Sequence, residues 1–158
     1  MWFRKRNAEE EPFDRPEPPA EITLRPIGFV RNQVARPRPK GWERVESTVE
    51  ILPEHAPKLK GLQGFSHVIV VFYMDLAPNA PEHPETLRMP SGNDYGILAT
   101  RSQLRPNHLG VSAVELLGVE GTAVRVRGLD AINGTPVLDI KPYLPEYDAH
   151  PKARIPDA

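Results

Sequence analysis

Three stretches of the 158-residue chain are dense in polar and backbone-restricting residues of the kinds that bind and react. The first is Gly64-Phe65-Ser66-His67. The second runs Ala99-Thr100-Arg101-Ser102 and continues through Arg105-Pro106-Asn107-His108-Leu109-Gly110-Val111-Ser112. The third is Gly134-Thr135-Pro136-Val137-Leu138-Asp139-Ile140-Lys141-Pro142-Tyr143. Arg101 and Arg105 carry guanidinium forks, whose parallel N–H donors match a carboxylate or a phosphate. Arginines that simply stay hydrated at the surface are the competing reading. Asn107 presents donors and acceptors together, which suits an adenine edge or a braced loop.

Other chemistries are excluded by what the chain lacks. It contains no cysteine, so there is no disulfide scaffold, thiol nucleophile or thiolate metal site. His55, His67, His83, His108 and His150 are scattered without the short spacings that put two ligands on one face, and no metal is expected. There is no G-x-G-x-x-G, no Walker loop and no G-x-S-x-G elbow. Twenty basic and twenty-one acidic residues leave a formal charge of −1, so any nucleic-acid site has to be a local patch. No apolar run approaches the ~18 residues of a membrane span, and residues 1–6 lead into acids rather than a signal-like apolar stretch. A soluble cytoplasmic protein is the expectation.

The elements that must position these groups are short. Nineteen prolines make long helices improbable. β-rich segments are expected at 22–30, 44–51, 65–74, 95–101, 112–119, 122–128 and 137–140. Segment 65–74 is almost wholly apolar and reads as a central strand covered on both faces. Glu120-Gly121 and Asn133-Gly134 sit where tight turns belong, the second being a strong hairpin signal. Loops are expected at 36–41 and 76–94, and a short helix at 54–62. Together these predict an all-β fold: a compact antiparallel barrel of about six to seven short strands, with proline-rich loops and little helix. Residues 1–20 hold nine charges and four prolines and read as a disordered tail, whose Trp2, Phe3 and Phe13 are available to a partner. The expected domain spans 21–148, followed by a second tail at 149–158.

In order and spacing the three motifs resemble the TsaA-like family, also called TrmO or YaeB-like. The likeness runs from Ile27 to about Asp148. It implies a β-barrel that binds S-adenosylmethionine, pairs as a homodimer and methylates the exocyclic nitrogen of N6-threonylcarbamoyladenosine beside the tRNA anticodon. Members that act on tRNA carry a further C-terminal domain. A smaller acceptor, or a non-catalytic module that only binds S-adenosylmethionine, is therefore the alternative. The chain departs from the family pattern at three places: His108 stands where proline is usual, Met74-Asp75 replaces Phe-His, and Asn133 replaces the commoner aspartate.

By that resemblance the cofactor would meet Pro39, Lys40, Gly41, Asp75, Leu76, Arg101, Val111, Arg127, Gly128, Leu129 and Asp130. Gly41 and Gly128 allow close backbone approach, and Asp75 or Asp130 can accept from ribose hydroxyls or an ammonium group. For Arg127, as for Arg125, the wet face of a strand is the plainer alternative. Asp139 would accept the amine proton's hydrogen bond, Lys141 would hold phosphate and Tyr143 would stack or donate, with Asn107 beside them as a fourth catalytic candidate. A structural Asp139–Lys141 pair is the competing reading. Lys40, Arg88, Arg101, Arg105 and Lys141 are candidates for one RNA-binding rim, with Trp42 or Tyr143 as stacking partner.

Overall fold

Alternation with period two points valine, isoleucine and phenylalanine to one side of each long strand and smaller or polar residues to the other. The computed structural model describes residues 14–77 and 84–156. Its strands are β1 (Gly28–Arg31), β2 (Glu46–Ile51), β3 (His67–Tyr73), β4 (Thr86–Arg88), β5 (Asp94–Gly96), β6 (Leu109–Glu120), β7 (Ala123–Arg127) and β8 (Pro136–Pro142). Six of them close into a barrel in the order β1-β2-β7-β6-β3-β8, with every neighbouring pair antiparallel. β4 and β5 form a separate two-stranded sheet. Among the described residues the one α-helix, α1, is the four-residue Pro145–Asp148. The expected class, an antiparallel barrel with little helix, is the one the chain adopts.

Valine dominates the interior. Val30, Val49, Val68, Val70, Val124, Val126 and Val137 are fully buried, each worth about 1.5–3 kcal/mol. A six-stranded barrel is narrow, and valine fills it with one well-defined rotamer. Larger residues need space made for them. Phe72 lies over Gly110, where a Cβ would fall 2.3 Å from the ring. Gly28 likewise lets β1 approach β2, since a Cβ there would sit 2.4 Å from the Glu50 carbonyl oxygen.

Antiparallel closure decides which loops meet. The β1–β2, β3–β6 and β7–β8 connections all leave from one end of the barrel, so residues 32–45, the described parts 74–77 and 84–108, and 128–135 converge there. At the other end, 3-10 turns at Pro53–Leu59 and Leu62–Gly64 pack Leu59 and Leu62 on the core.

Several expectations need correction. The first strand is β1 alone, and Ile22 and Leu24 are exposed, because pairing with β8 begins only where the Ile27 N–H reaches the Val137 carbonyl (2.8 Å). Segment 65–74 is buried on its inner face only. Ile69 and Val71 are half-buried on the outer face, because no helix covers this barrel wall. Segment 95–101 gives only β5 and then a 3-10 turn at Ile97–Ala99, whose first carbonyl, that of Ile97, accepts from the Thr100 hydroxyl (2.8 Å). The helix expected at 54–62 is 3-10 in form over Pro53–Leu59, since Pro57 inside it has no N–H to donate to a carbonyl four residues back. β4 lies inside what reads as a loop. Asn133-Gly134 does turn, with Gly134 at φ 90°, but β7 and β8 do not pair, so it makes no hairpin. Gly121, at φ 60°, does close the β6–β7 hairpin. Trp2, Phe3, Phe13 and His83 lie outside the described residues.

Gly28→Ala is expected to lower stability by about 1–3 kcal/mol, the usual cost of forcing atoms into a packed site. Gly118→Ala, where a Cβ meets nothing within 4 Å, is expected to change it little. Urea denaturation of the two variants side by side checks the difference.

Candidate functional site

The three converging loops enclose a cavity of about 510 Å³, within the range of small-ligand sites. A neighbouring cavity of about 300 Å³ shares Phe72, Met74, Arg101 and Asp130 with it. The two form one cleft whose floor is the open end of the barrel. Its walls come from Pro37, Arg38, Pro39 and Trp42 of the first loop, Met74–Ala77 with Thr100, Arg101, Gln103 and Arg105 of the second, and Asp130, Ala131, Ile132 and Thr135 of the third.

Each wall is braced locally. The Arg38 guanidinium sits 5.0 Å from the centre of the Trp42 ring and donates to the Gly41 carbonyl (2.7 Å), while Trp42 Nε1 donates to the Arg38 carbonyl (2.9 Å). Arg105 turns inward and donates to the Thr100 and Ser102 carbonyls (2.9 and 3.3 Å), so it ties its own loop. Buried His108 bonds through Nδ1 to the Gln103 carbonyl oxygen (2.8 Å) and holds the same loop from below. Asn107 and His108 have φ of 65° and 48°. Proline, fixed near about −65°, could not take the second value, so the departure at position 108 is matched by a local backbone that proline would not permit. Asn32 fastens the third wall, donating to the Ala131 carbonyl (2.9 Å) and the Ser47 hydroxyl (3.0 Å), while its own N–H is received by Asn133 Oδ1 (3.1 Å).

Charge in the cleft is only partly neutralised. Arg101 donates from Nη2 to the Val111 carbonyl (3.1 Å), and the rest of its guanidinium has no partner among the described residues. Asp75 and Asp130 have no ion-pair partner among them either. Ser112, buried on the inner face of β6, donates to Asp130 Oδ1. A cation and two anions therefore face one cavity without satisfying one another. This donor and acceptor set fits a ligand that is itself zwitterionic and bears hydroxyls.

The model of the tRNA-methyltransferase O N-terminal domain matches residues 29–149. The chain belongs to this family. It is 35% identical over 144 residues to the probable S-adenosyl-L-methionine-binding protein of Pyrococcus abyssi, covering 87% of this chain and 76% of that one. It is 42% identical over 110 residues to the tRNA (adenine(37)-N6)-methyltransferase of Homo sapiens, covering 67% of this chain and 24% of that protein. The solved structure of TrmO from Pseudomonas aeruginosa superposes with a TM-score of 0.69 at 35% identity, over 85% of this chain and 61% of that one. The chain thus spans about three-fifths of the solved TrmO chain.

Of the residues that the family resemblance assigns to the cofactor, Pro39, Asp75, Leu76, Arg101, Val111 and Asp130 line the cleft, as do Trp42 and Arg105. Lys40 and Gly41 are exposed beside it, between Pro39 and Trp42. Leu129 is core. Gly128, at φ 95°, donates its N–H to the Val45 carbonyl (3.0 Å) and turns the chain into the third wall. Arg127 is elsewhere: it lies on the barrel's outside, bridging Glu46 (2.9 Å) and Glu115 (2.8 Å). Its guanidinium is held above its ordinary value by the hydrogen bond to Glu46 first, then by that to Glu115, so the arginine stays charged and the pairing lasts for as long as the two carboxylates are ionised. Arg88 pairs with Asp94 (3.3 Å) in the β4–β5 sheet and lines neither cavity of the cleft. Asn107 is exposed and lines neither cavity.

Asp139 and Lys141 stand on the outer wall of β8 and pair with each other (3.0 Å). Asp139 Oδ1 also accepts from the Ile140 N–H (2.9 Å), and Tyr143 tilts against His67 with ring centres 6.1 Å apart. Asp139 lines a separate cavity of about 270 Å³ near the capped end of the barrel, which shares no lining residue with the cleft. Within one chain the third motif is therefore split: Thr135 faces the cleft and Asp139 does not. Sequence reasoning missed Arg38 and Asn32. The basic, proline-bearing run at 36–41 hinted at the first, and no local signal marks the second.

Arg127→Ala is expected to lower the melting temperature at low ionic strength, with the difference shrinking as salt screens the exposed pairs. Ligand affinity should stay within about twofold, since long surface ion pairs act little beyond a Debye length. Thermal melts in low and high salt, with one calorimetric titration, decide both points.

Proposed function

We propose that the chain is a cytoplasmic S-adenosylmethionine-dependent methyltransferase, with its function carried by residues 21–148, that methylates the exocyclic nitrogen of N6-threonylcarbamoyladenosine at position 37 of tRNA, next to the anticodon. The observation that carries this reading is the open Arg101 fork set beside the unpaired Asp75 and Asp130 carboxylates in one cleft. When bound, S-adenosylmethionine supplies an electrophilic methyl group on a sulfonium. Arg101 receives the methionyl carboxylate, Asp75 and Asp130 accept from the ribose hydroxyls and the ammonium group, and Phe72 and Met74 give an apolar floor that excludes water. Displacement at a sulfonium needs chiefly alignment and an acceptor for the amine proton. The RNA reading is supported by Arg38 and Lys40, exposed on one loop at the cleft mouth beside Trp42, a pattern suited to splayed bases and their phosphates.

Asp139 enters this reading through a second copy. The outer face of β6, β3 and β8 carries exposed Val111 and half-buried Ile69 and Val71, and β8 adds Asp139 and Lys141. Pairing two copies over this face about an axis along β3 lays β8 of one over β6 of the other. That arrangement brings Asp139, Lys141 and Tyr143 toward a cleft bordered by Val111. Light scattering is expected to give twice the chain mass of 17.7 kDa, and Val71→Glu is expected to give monomers.

Arg101→Ala is expected to weaken cofactor binding at least about tenfold, the worth of a charge-assisted hydrogen bond. Asp139→Asn should depress turnover with little loss of cofactor affinity. Transfer of labelled methyl from S-adenosylmethionine to tRNA from cells lacking the gene tests the activity, with nucleoside mass spectrometry to place the methyl. Label on a small acceptor and none on RNA would replace the tRNA reading.

A further inference from the structure

Ser112 occupies an inward position on β6 next to Val114, on the face where the barrel otherwise places valine. A hydroxyl there would be costly without a partner. Its partner is Asp130 Oδ1, and Asp130 itself is exposed to both cavities of the cleft. The second oxygen, Oδ2, has no hydrogen-bond or ion-pair partner among the described residues. Arg101 lines the same two cavities, yet no ion pair joins it to Asp130. Asp75 differs: it lines the larger cavity alone, and no side chain among the described residues holds its carboxylate.

We propose that Ser112 is a positioning residue, which by fixing one oxygen of Asp130 presents the other as the acceptor for the α-ammonium of the cofactor's amino-acid head. The inference rests on the S-adenosylmethionine reading and divides its two acids: Asp130 takes the ammonium and Asp75 is left to the ribose. A carboxylate with one oxygen already bonded loses its rotational freedom, so less entropy is lost when the ligand binds. Arg101 and Asp130 then act as opposite poles of a receptor for a carboxylate and an ammonium on one carbon. Neither pole is quenched by the other in the free protein.

The test compares two probes by titration calorimetry on the full chain. S-adenosylhomocysteine keeps the amino-acid head, and 5′-methylthioadenosine keeps the adenosine and sulfur without it. The free chain is expected to prefer the first. Ser112→Ala should weaken S-adenosylhomocysteine roughly tenfold, the worth of one charge-assisted hydrogen bond, and leave methylthioadenosine within about twofold. Ser112→Thr, which restores a hydroxyl, should recover most of the loss. Asp130→Asn, at an exposed site that does not threaten folding, should give the same selective loss, whereas Asp75→Asn should weaken both probes alike. The proposal is overturned if Ser112→Ala weakens both probes equally, if Asp130→Asn changes neither, or if Asp75→Asn alone removes the preference. Unmodified protein that binds neither probe would overturn the cofactor reading and this inference with it. Protein that binds both equally would leave that reading standing and sink the ammonium site.

Discussion

Between β1 and β8 the barrel closes on two Cα pairs, Gly28 with Val137 and Phe29 with Pro136. Three further backbone hydrogen bonds extend this seam: Ile27 N–H to Val137 (2.8 Å), Val30 N–H to Thr135 (2.9 Å) and Gly134 N–H to Val30 (2.7 Å). The shortest junction in the barrel thus lies where the third loop leaves for the cleft. Thr135 anchors that loop from inside, buried, with its hydroxyl on the Ile132 carbonyl (2.8 Å). Asn32 and Asn133 stitch the first loop to the third just beyond the seam. If the sheet opened here, the wall that carries Asp130 would lose its fixed distance from the wall that carries Trp42.

Closure also explains why one end of the barrel is chemical and the other is not. Antiparallel strands return the chain to alternate ends, so three long connections meet at one end while the other holds a tight turn and a proline-rich 3-10 cap. The barrel lining changes accordingly. Its middle is valine, whereas toward the cleft Ser47, Ser112 and Thr135 appear, each buried and each with its hydroxyl bonded. Those hydroxyls bond to loop groups, which stiffens the cleft wall without extending the hydrophobic core.

The outer surface is divided in a similar way. On the β2-β7-β6 side, Glu46, Arg127 and Glu115 form an exposed ion-pair row and Arg125 lies 3.8 Å from Glu46, an arrangement that keeps this wall wet. On the β6-β3-β8 side the outward residues are apolar in the middle and charged at the margin. β6 serves both sides and the cleft, and its length of twelve residues is what permits this.

The sequence by itself determined the antiparallel-barrel class with little helix and the three motif stretches, because period-two alternation, turn residues and motif order are properties of adjacent residues. It also marked the loop at 36–41 and the turn at Gly121. What it could not decide was partnership. Asn133-Gly134 has local hairpin chemistry, yet the strands on either side of it bond to other neighbours, since register is set by the packing of the whole barrel. Arg101 and Asp130 share a cleft across 28 intervening residues; the family resemblance grouped them, but no local pattern near either one does. Arg127 and Asp130 are three positions apart, but the strand ends and Gly128 turns the backbone between them. One side chain is left on the outer wall and the other in the cleft. In the third motif β8 runs from the cleft toward the capped end, so Thr135 and Asp139 come to face different cavities. Sequence fixes what each residue can do, but only closure of the barrel brings distant residues face to face, because strand pairing depends on contacts far apart in the chain.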